Sequence, residues 1–145
     1  MAGKSRKKAG KKVKSAGPVA TAVLWGLDPS FGEAAGEKGE RVREVLRGLD
    51  VRVRVAAPER LGDAAGAFAG LVGYRPAFVD YVGPVPEGEF VLLCGLNNAQ
   101  VDGFLAGCRE AGCVVGPKAV LTPANRDWPL VRLIEAVSSE HARMG

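Results

Sequence analysis

The most varied side-chain chemistry of the chain lies in residues 121–128, LTPANRDW. Arg126 and the nearby Lys118 are hydrogen-bond donors of the kind that hold a phosphate or a carboxylate. A helix is expected to follow, and its N-terminus would add backbone N–H groups and a positive dipole end. The stretch therefore has the composition of a small anion site.

The same stretch has a purely structural interpretation. Thr122 and Pro123 form a turn pair that ends a strand, because proline disfavours helix at the residue before it. Asn125 or Asp127 could then cap the helix that follows. Trp128 would fold over the edge of the sheet. Each residue would have a role without any ligand, so spacing alone does not decide between the two interpretations.

A thiol is the second candidate for chemistry. Cys94 ends an apolar strand just before a helix N-terminus, where a thiolate is stabilised. A cysteine nucleophile also needs a base, and His141 is the one histidine of the chain. However, His141 falls on an apolar helix stripe and cysteine is commonly buried, so packing is favoured for both residues.

Other catalytic and cofactor motifs are missing from the sequence. The three cysteines, Cys94, Cys108 and Cys113, are not paired at zinc-ligand spacing, and one histidine cannot complete a site. No GxxxxGK[ST] or GxGxxG motif is present. We therefore expect no metal and no cofactor, and favour a non-catalytic protein.

A basic segment opens the chain. Residues 1–17 carry seven basic side chains and no acidic one. The rest of the chain contains the other thirteen basic residues and all sixteen acidic ones. Such a block is predicted to be a disordered tail, able to bind RNA or DNA non-specifically through phosphates, or simply to aid solubility. Its basic residues are Lys4, Arg6, Lys7, Lys8, Lys11, Lys12 and Lys14.

The cellular compartment is predicted from cysteine use and hydropathy. Free thiols are typical of a reducing cytosol. No apolar run approaches the length of a membrane span, and the basic N-terminus is not followed by a secretory apolar region. We expect a cytoplasmic protein, of bacterial origin, without membrane contact.

Four strands and four helices are predicted over residues 18–145, which we take as a single domain. Two continuously apolar runs, 19–25 and 90–94, are typical of central strands, whereas the alternating 51–55 and the short 118–122 are typical of edge strands. Residues 73–89 are predicted to form an extended loop, with a short edge strand near 77–81. Helices are predicted at about 40–47, from Pro58, around 101–108 and over 130–144.

The order of these elements suggests a duplication with half-repeats 18–72 and 89–145. Each half is a strand, a Gly-Leu turn, a helix, an outer strand, a turn ending in proline and a second helix. Such pseudo-duplicated βαβα units give an α/β (α+β) fold, a four-stranded sheet with packed helices. A ferredoxin-like two-layer sandwich is the expected arrangement, and a small doubly wound sheet with helices on both faces is the alternative.

The second half resembles a small bacterial family known as domain of unknown function 3783. The resemblance covers residues 90–144 and rests on VLLCGLNNAQVDGFLAGCREAGC, KAVLTPANRDW and SSEHARM. The family pattern matches Cys94, Gly95, Lys118 to Pro123, Asn125, Arg126, Trp128, Glu140 and His141. Pro129 departs from it, which leaves open whether the last helix begins before or after this residue. The family has no assigned reaction, so the resemblance implies the domain and no chemistry.

These observations predict a small cytosolic module that binds a partner protein or a small anionic ligand. The alternative is an RNA- or ribosome-associated protein that uses the basic tail, and a thiol-dependent enzyme at Cys94 ranks third. The candidate binding residues are Lys118, Thr122, Asn125, Arg126, Trp128, Asn97, Cys94 and His141.

Overall fold

The computed structural model describes residues 19–144, so the predicted basic tail lies outside the described residues. Strands and helices alternate along the chain, with single turns of 3₁₀ helix at Pro29–Phe31 and Pro58–Arg60. The elements are β1 (Thr21–Trp25), α1 (Glu33–Gly48), β2 (Arg52–Val55), α2 (Ala65–Phe68), β3 (Phe90–Cys94), α3 (Asn98–Ala111), β4 (Lys118–Val120) and α4 (Leu130–Met144).

The strands of residues 19–144 form one four-stranded mixed sheet in the order β2-β1-β3-β4. β1 pairs in parallel with β2, β3 pairs in parallel with β4, and the two central strands are antiparallel to each other. All five residues of β1 and of β3 are buried, as their continuous apolar runs predict. The assignment of central and edge strands is therefore confirmed.

Helices cover both faces of the sheet. One apolar core lies between the sheet and α1 with α3, and includes Val42, Leu46 and Phe104. The other lies between the sheet and the segments holding α2 and α4, and includes Phe68 and Leu130. The fold is thus α/β, but the ferredoxin-like two-layer arrangement is not confirmed, because successive helices alternate between the two faces and give three layers.

The hydrogen-bond pattern has two-fold symmetry. Val23 and Leu92 form the central pair of β1 and β3, and Gly26 and Gly95 follow their strands with the same φ of 74°. A second antiparallel contact brings the turns before α2 and α4 together, with Ala65 N–H donating to Trp128 O and Leu130 N–H donating to Asp63 O. Descent of the halves from one duplicated unit stays a prediction.

Helix α1 begins at Glu33, well before the expected start near Glu40. Two glycines that precede Glu40 are buried contacts of the helix: Gly36 lies against Pro29 and Gly39 against the carbonyl of Leu27. Small residues here let the helix approach the chain below it. Their role depends on that neighbour, so helix propensity alone could not show it.

The expected helix after Pro58 and the edge strand near 77–81 differ from the structure. The first is a 3₁₀ turn followed by the single turn α2, since Gly62 and Gly70 interrupt the helical stretch. Residues 77–81 form a loop that bends at Phe78 and Val79 and has no strand partner among residues 19–144. β4 ends at Val120 rather than at residue 122.

Candidate functional site

The LTPANRDW stretch is a turn in which Asn125 caps the backbone at the end of β4. The Asn125 side chain donates from Nδ2 to the carbonyl of Val120 at 3.1 Å. Its Oδ1 accepts the N–H of Thr122 at 2.9 Å. The side-chain amide thereby pairs with one carbonyl and one N–H group of the backbone that face away from β3. Asn125 therefore serves the backbone of its own turn.

The N-terminus of α4 is occupied by backbone groups of the other half. Leu130 N–H donates to Asp63 O at 2.9 Å and Val131 N–H donates to Leu61 O at 3.0 Å. These are first-turn donors that a bound anion would need. The helix begins after Pro129. The structure thus lacks the free helix end on which the anion-site interpretation depends.

Asp127 lies in a pair with Tyr74. The Tyr74 hydroxyl donates to Asp127 Oδ1, and this hydrogen bond raises the pKa of Tyr74 above its ordinary value. The predicted capping of α4 by Asn125 or Asp127 is not found, because both side chains are engaged elsewhere.

Lys118 and Arg126 do not form one cationic site. Lys118 Nζ donates to the carbonyls of Val115 and Gly116, at 2.8 and 3.3 Å. It thus stabilises the loop before β4, whereas Arg126 is exposed in the turn after that strand. The two residues flank opposite ends of β4.

Trp128 is half-buried and packs on the core that α4 covers. The guanidinium of Arg132 lies over the Trp128 ring, 4.7 Å from its centroid. This cation–π contact fixes the ring between the turn and the first turn of α4. The structure gives Trp128 a packing role, as the structural interpretation predicted.

Asn97 is the N-cap of α3. Its Oδ1 accepts the N–H of Gln100 at 2.8 Å, and the Gln100 side chain accepts the N–H of Asn97 at 2.9 Å. This capping box satisfies two backbone donors at the helix start. The Gln100 amide also donates to the carbonyl of Leu49 at 3.1 Å, which ties α3 to the end of α1.

The structure does not bring Cys94 and His141 together. The imidazole of His141 is exposed and lies against Gly116, before the start of β4. Lys118, the first residue of β4, pairs with Val91. Cys94 lies three residues beyond Val91 along β3, about 10 Å from it. Burial raises the pKa of the Cys94 thiol to about 12. Cys94 thus has neither a base nor a stabilised thiolate.

We expect Cys94 to resist alkylation in the folded protein. An ordinary thiol ionises near pH 8.5, so at pH 8 the raised pKa leaves Cys94 neutral and burial keeps the reagent out. Iodoacetamide labelling followed by peptide mapping should show modification only at the rate of unfolding, with rapid labelling in guanidinium as the control. Rapid labelling of native Cys94 would contradict the assignment and restore the thiol-enzyme hypothesis.

The most exposed apolar surface lies outside the predicted site residues. Val72, Phe78, Val79, Val82 and Val85 are exposed in the segment between α2 and β3, and Phe78 is fully so. We call residues 72–85 the apolar loop. The signal in the sequence was a phenylalanine and four valines within a proline-rich segment. Exposure could not be deduced from it, because a sequence does not show which apolar side chains lack neighbours.

A polar clasp holds the apolar loop to the domain. Arg60 donates from Nη1 to the carbonyl of Ala77 at 2.9 Å and from Nη2 to Asp80 Oδ1 at 2.7 Å. Ala77 N–H in turn donates to Asp63 Oδ1 at 2.9 Å. Asp63 is only 6% exposed and also lies 3.6 Å from the Arg60 guanidinium. Phe78 and Val79 are therefore presented between two fixed points.

Two further observations concern metals and membranes. Within residues 19–144 no group of three or more histidine, cysteine, aspartate or glutamate side chains is arranged to hold a metal ion. No helix of the same residues combines the length and the apolarity needed to cross a membrane.

Comparison with known proteins identifies a family that resembles the second half of the chain. Residues 89–144 match the family described as "Domain of unknown function (DUF3783)". The matched segment contains β3, α3, β4 and α4, which is the second of the two symmetric halves. No curated protein and no solved structure matches the chain.

Proposed function

We propose that this chain is a non-catalytic module that binds a partner protein through the apolar loop. One observation carries the proposal: Phe78, Val79 and Val82 are exposed together on a segment that polar contacts hold in place. Exposed apolar residues scattered singly are ordinary, whereas a group on one fixed segment is typical of an interaction surface.

The anchors of the loop favour binding because they limit the entropy lost on association. In addition to the Arg60 clasp, Tyr81 N–H donates to Glu59 O at 2.9 Å and the Tyr81 hydroxyl donates to Pro84 O at 2.6 Å. Trp25 Nε1 donates to Pro86 O at 3.2 Å. A loop already held in one conformation loses little freedom when a partner covers it.

The energetics suit a protein partner. Burying one large apolar side chain contributes about 1.5–3 kcal/mol, so three such side chains could support a specific contact. A small anion is less well supported, because the first N–H groups of α4 are bonded to Leu61 and Asp63. The three free, buried cysteines support a location in the reducing cytoplasm.

The test compares the wild-type chain with the double variant Phe78→Ser, Val79→Ser. Both side chains extend into solvent, so the variant should keep the wild-type melting temperature. We expect it to lose about ten-fold or more of a captured partner, equivalent to about 1.4 kcal/mol. The measurement is quantitative mass spectrometry of proteins captured from a bacterial lysate treated with nuclease at raised salt. That treatment suppresses nucleic-acid contacts of residues 1–17.

Val114→Ser is the matched control, since Val114 is half exposed and lies after α3, away from the apolar loop. It should capture the same proteins as the wild type. The proposal is wrong if the double variant retains every captured protein at the wild-type level, or if Val114→Ser loses them equally.

A further inference from the structure

The outer edge of β2 has unpaired backbone groups. Arg52 N–H donates to Ala20 O at 2.8 Å and Ala56 N–H donates to Leu24 O at 2.9 Å. In a parallel pair, alternate residues bond to the same neighbouring strand. Val53 and Val55, which lie between, therefore direct both N–H and C=O away from β1. No group of residues 19–144 is bonded to that side.

At the opposite edge of the sheet a side chain caps the backbone at the end of the strand, and the edge of β2 differs from it in this respect. At β4 the Asn125 amide bonds to Val120 O and Thr122 N–H. The symmetry places Arg60 at the corresponding position after β2, and Arg60 is engaged with the apolar loop instead. Arg60 therefore does not bond the outward backbone groups of β2, as Asn125 bonds those at the end of β4.

The chemistry of the β2 edge matches a polypeptide strand. Two donors and two acceptors alternate along Val53 and Val55, and an added strand satisfies all four in register. The phosphates of a nucleic acid would accept from the N–H groups and leave both carbonyls without donors. Unpaired strand groups of this kind are a template for strand addition.

Charge selects among the possible strands. Arg52 is exposed on this edge, and Arg54 is held beside it by a 2.8 Å hydrogen bond to Phe68 O and by contact with the Phe68 ring. A second copy of β2 would bring arginines of the same charge together, and residues 1–17 carry only basic charge. An acidic strand has neither obstacle.

We propose that the β2 edge binds an extended acidic segment of another protein, with carboxylates at alternate positions facing Arg52 and Arg54. Its backbone pairs with Val53 and Val55 and extends the sheet beyond β2. This surface is separate from the apolar loop, so it does not depend on the proposed function above.

The experiment uses the ¹⁵N-labelled full chain and two capped pentapeptides, EVEVE and KVKVK, in ~0.15 M salt. We expect EVEVE to shift the amide resonances of Val53 and Val55 and to slow their hydrogen exchange, and KVKVK to do neither. Arg52→Glu should weaken EVEVE binding about ten-fold and permit KVKVK binding. Arg41→Glu, an equal charge change on the exposed face of α1, should have no such effect.

Several outcomes would overturn the proposal. These are no change at Val53 and Val55 up to about 1 mM peptide, equal binding of both peptides, or equal effects of Arg52→Glu and Arg41→Glu. Slowed exchange that depends only on protein concentration would assign the edge to a second copy instead. The Phe78→Ser, Val79→Ser variant should still bind EVEVE, which separates this result from the test of the apolar loop.

Discussion

Gly39→Ala should strongly destabilise the fold. A Cβ at Gly39 would lie 1.8 Å from the carbonyl oxygen of Leu27 and 2.8 Å from its carbonyl carbon. The obstacle is backbone next to β1, so α1 must move away from the sheet to admit a methyl group. We expect a loss of about 3 kcal/mol in the free energy of unfolding, the upper part of the range for overpacked cores. Urea denaturation measures it.

Gly48→Ala is the matched control, because Gly48 belongs to the same helix and has open space at its Cβ position. Alanine is the better helix former, so this variant should gain up to about 1 kcal/mol. Opposite signs for one substitution at two positions of α1 would confirm close packing as the role of Gly39. If Gly39→Ala lowered the free energy of unfolding by less than about 0.5 kcal/mol, the range of an ordinary surface substitution, close packing would not be the role of Gly39.

Trp25→Ala should cost about 3–5 kcal/mol, as expected for removal of a buried aromatic side chain. Trp25 is 1% exposed, its ring meets Phe31 edge to face at 4.9 Å, and its Nε1 donates to Pro86 O. The substitution therefore removes packing beneath β1 and an anchor of the chain that follows the apolar loop. Denaturant unfolding measures the first effect, and amide exchange near Pro86 the second.

Trp25→Phe separates these two effects. It keeps an aromatic ring next to Phe31 but has no indole N–H, so Pro86 O should lose its donor while most of the core stays filled. We expect it to lose less stability than Trp25→Ala and still to raise amide exchange around Pro86. Equal exchange in wild type and Trp25→Phe would show that the hydrogen bond does not anchor this segment.

The sheet could be predicted because its signals are local. The apolar runs of β1 and β3 identify central strands wherever they occur, and Asn97 with Gln100 marks the start of α3 within four residues. The layering could not be predicted in the same way. A strand buried on both faces admits helices on both sides, and the order and spacing of the elements do not say on which face each helix packs.

The candidate site was harder to predict because its residues act through contacts distant in sequence. Arg126 and Lys118 are close in sequence, but the strand between them separates them. The N–H groups of α4 looked free because Leu61 and Asp63, which accept them, lie in the other half of the chain. The exposed side chains of the apolar loop depend on the clasp between Arg60 and Asp80, which are distant in sequence.

The antiparallel contact of β1 with β3 has a consequence for synthesis on the ribosome. Val23 cannot pair with Leu92, its partner across the middle of the sheet, until β3 has been synthesised. Both helices of the first half are synthesised between β1 and β3. During that interval the edge of β1 that later pairs with β3 is apolar and has no partner. Such an edge is prone to aggregation, so the nascent chain is most vulnerable just before Phe90–Cys94 emerges.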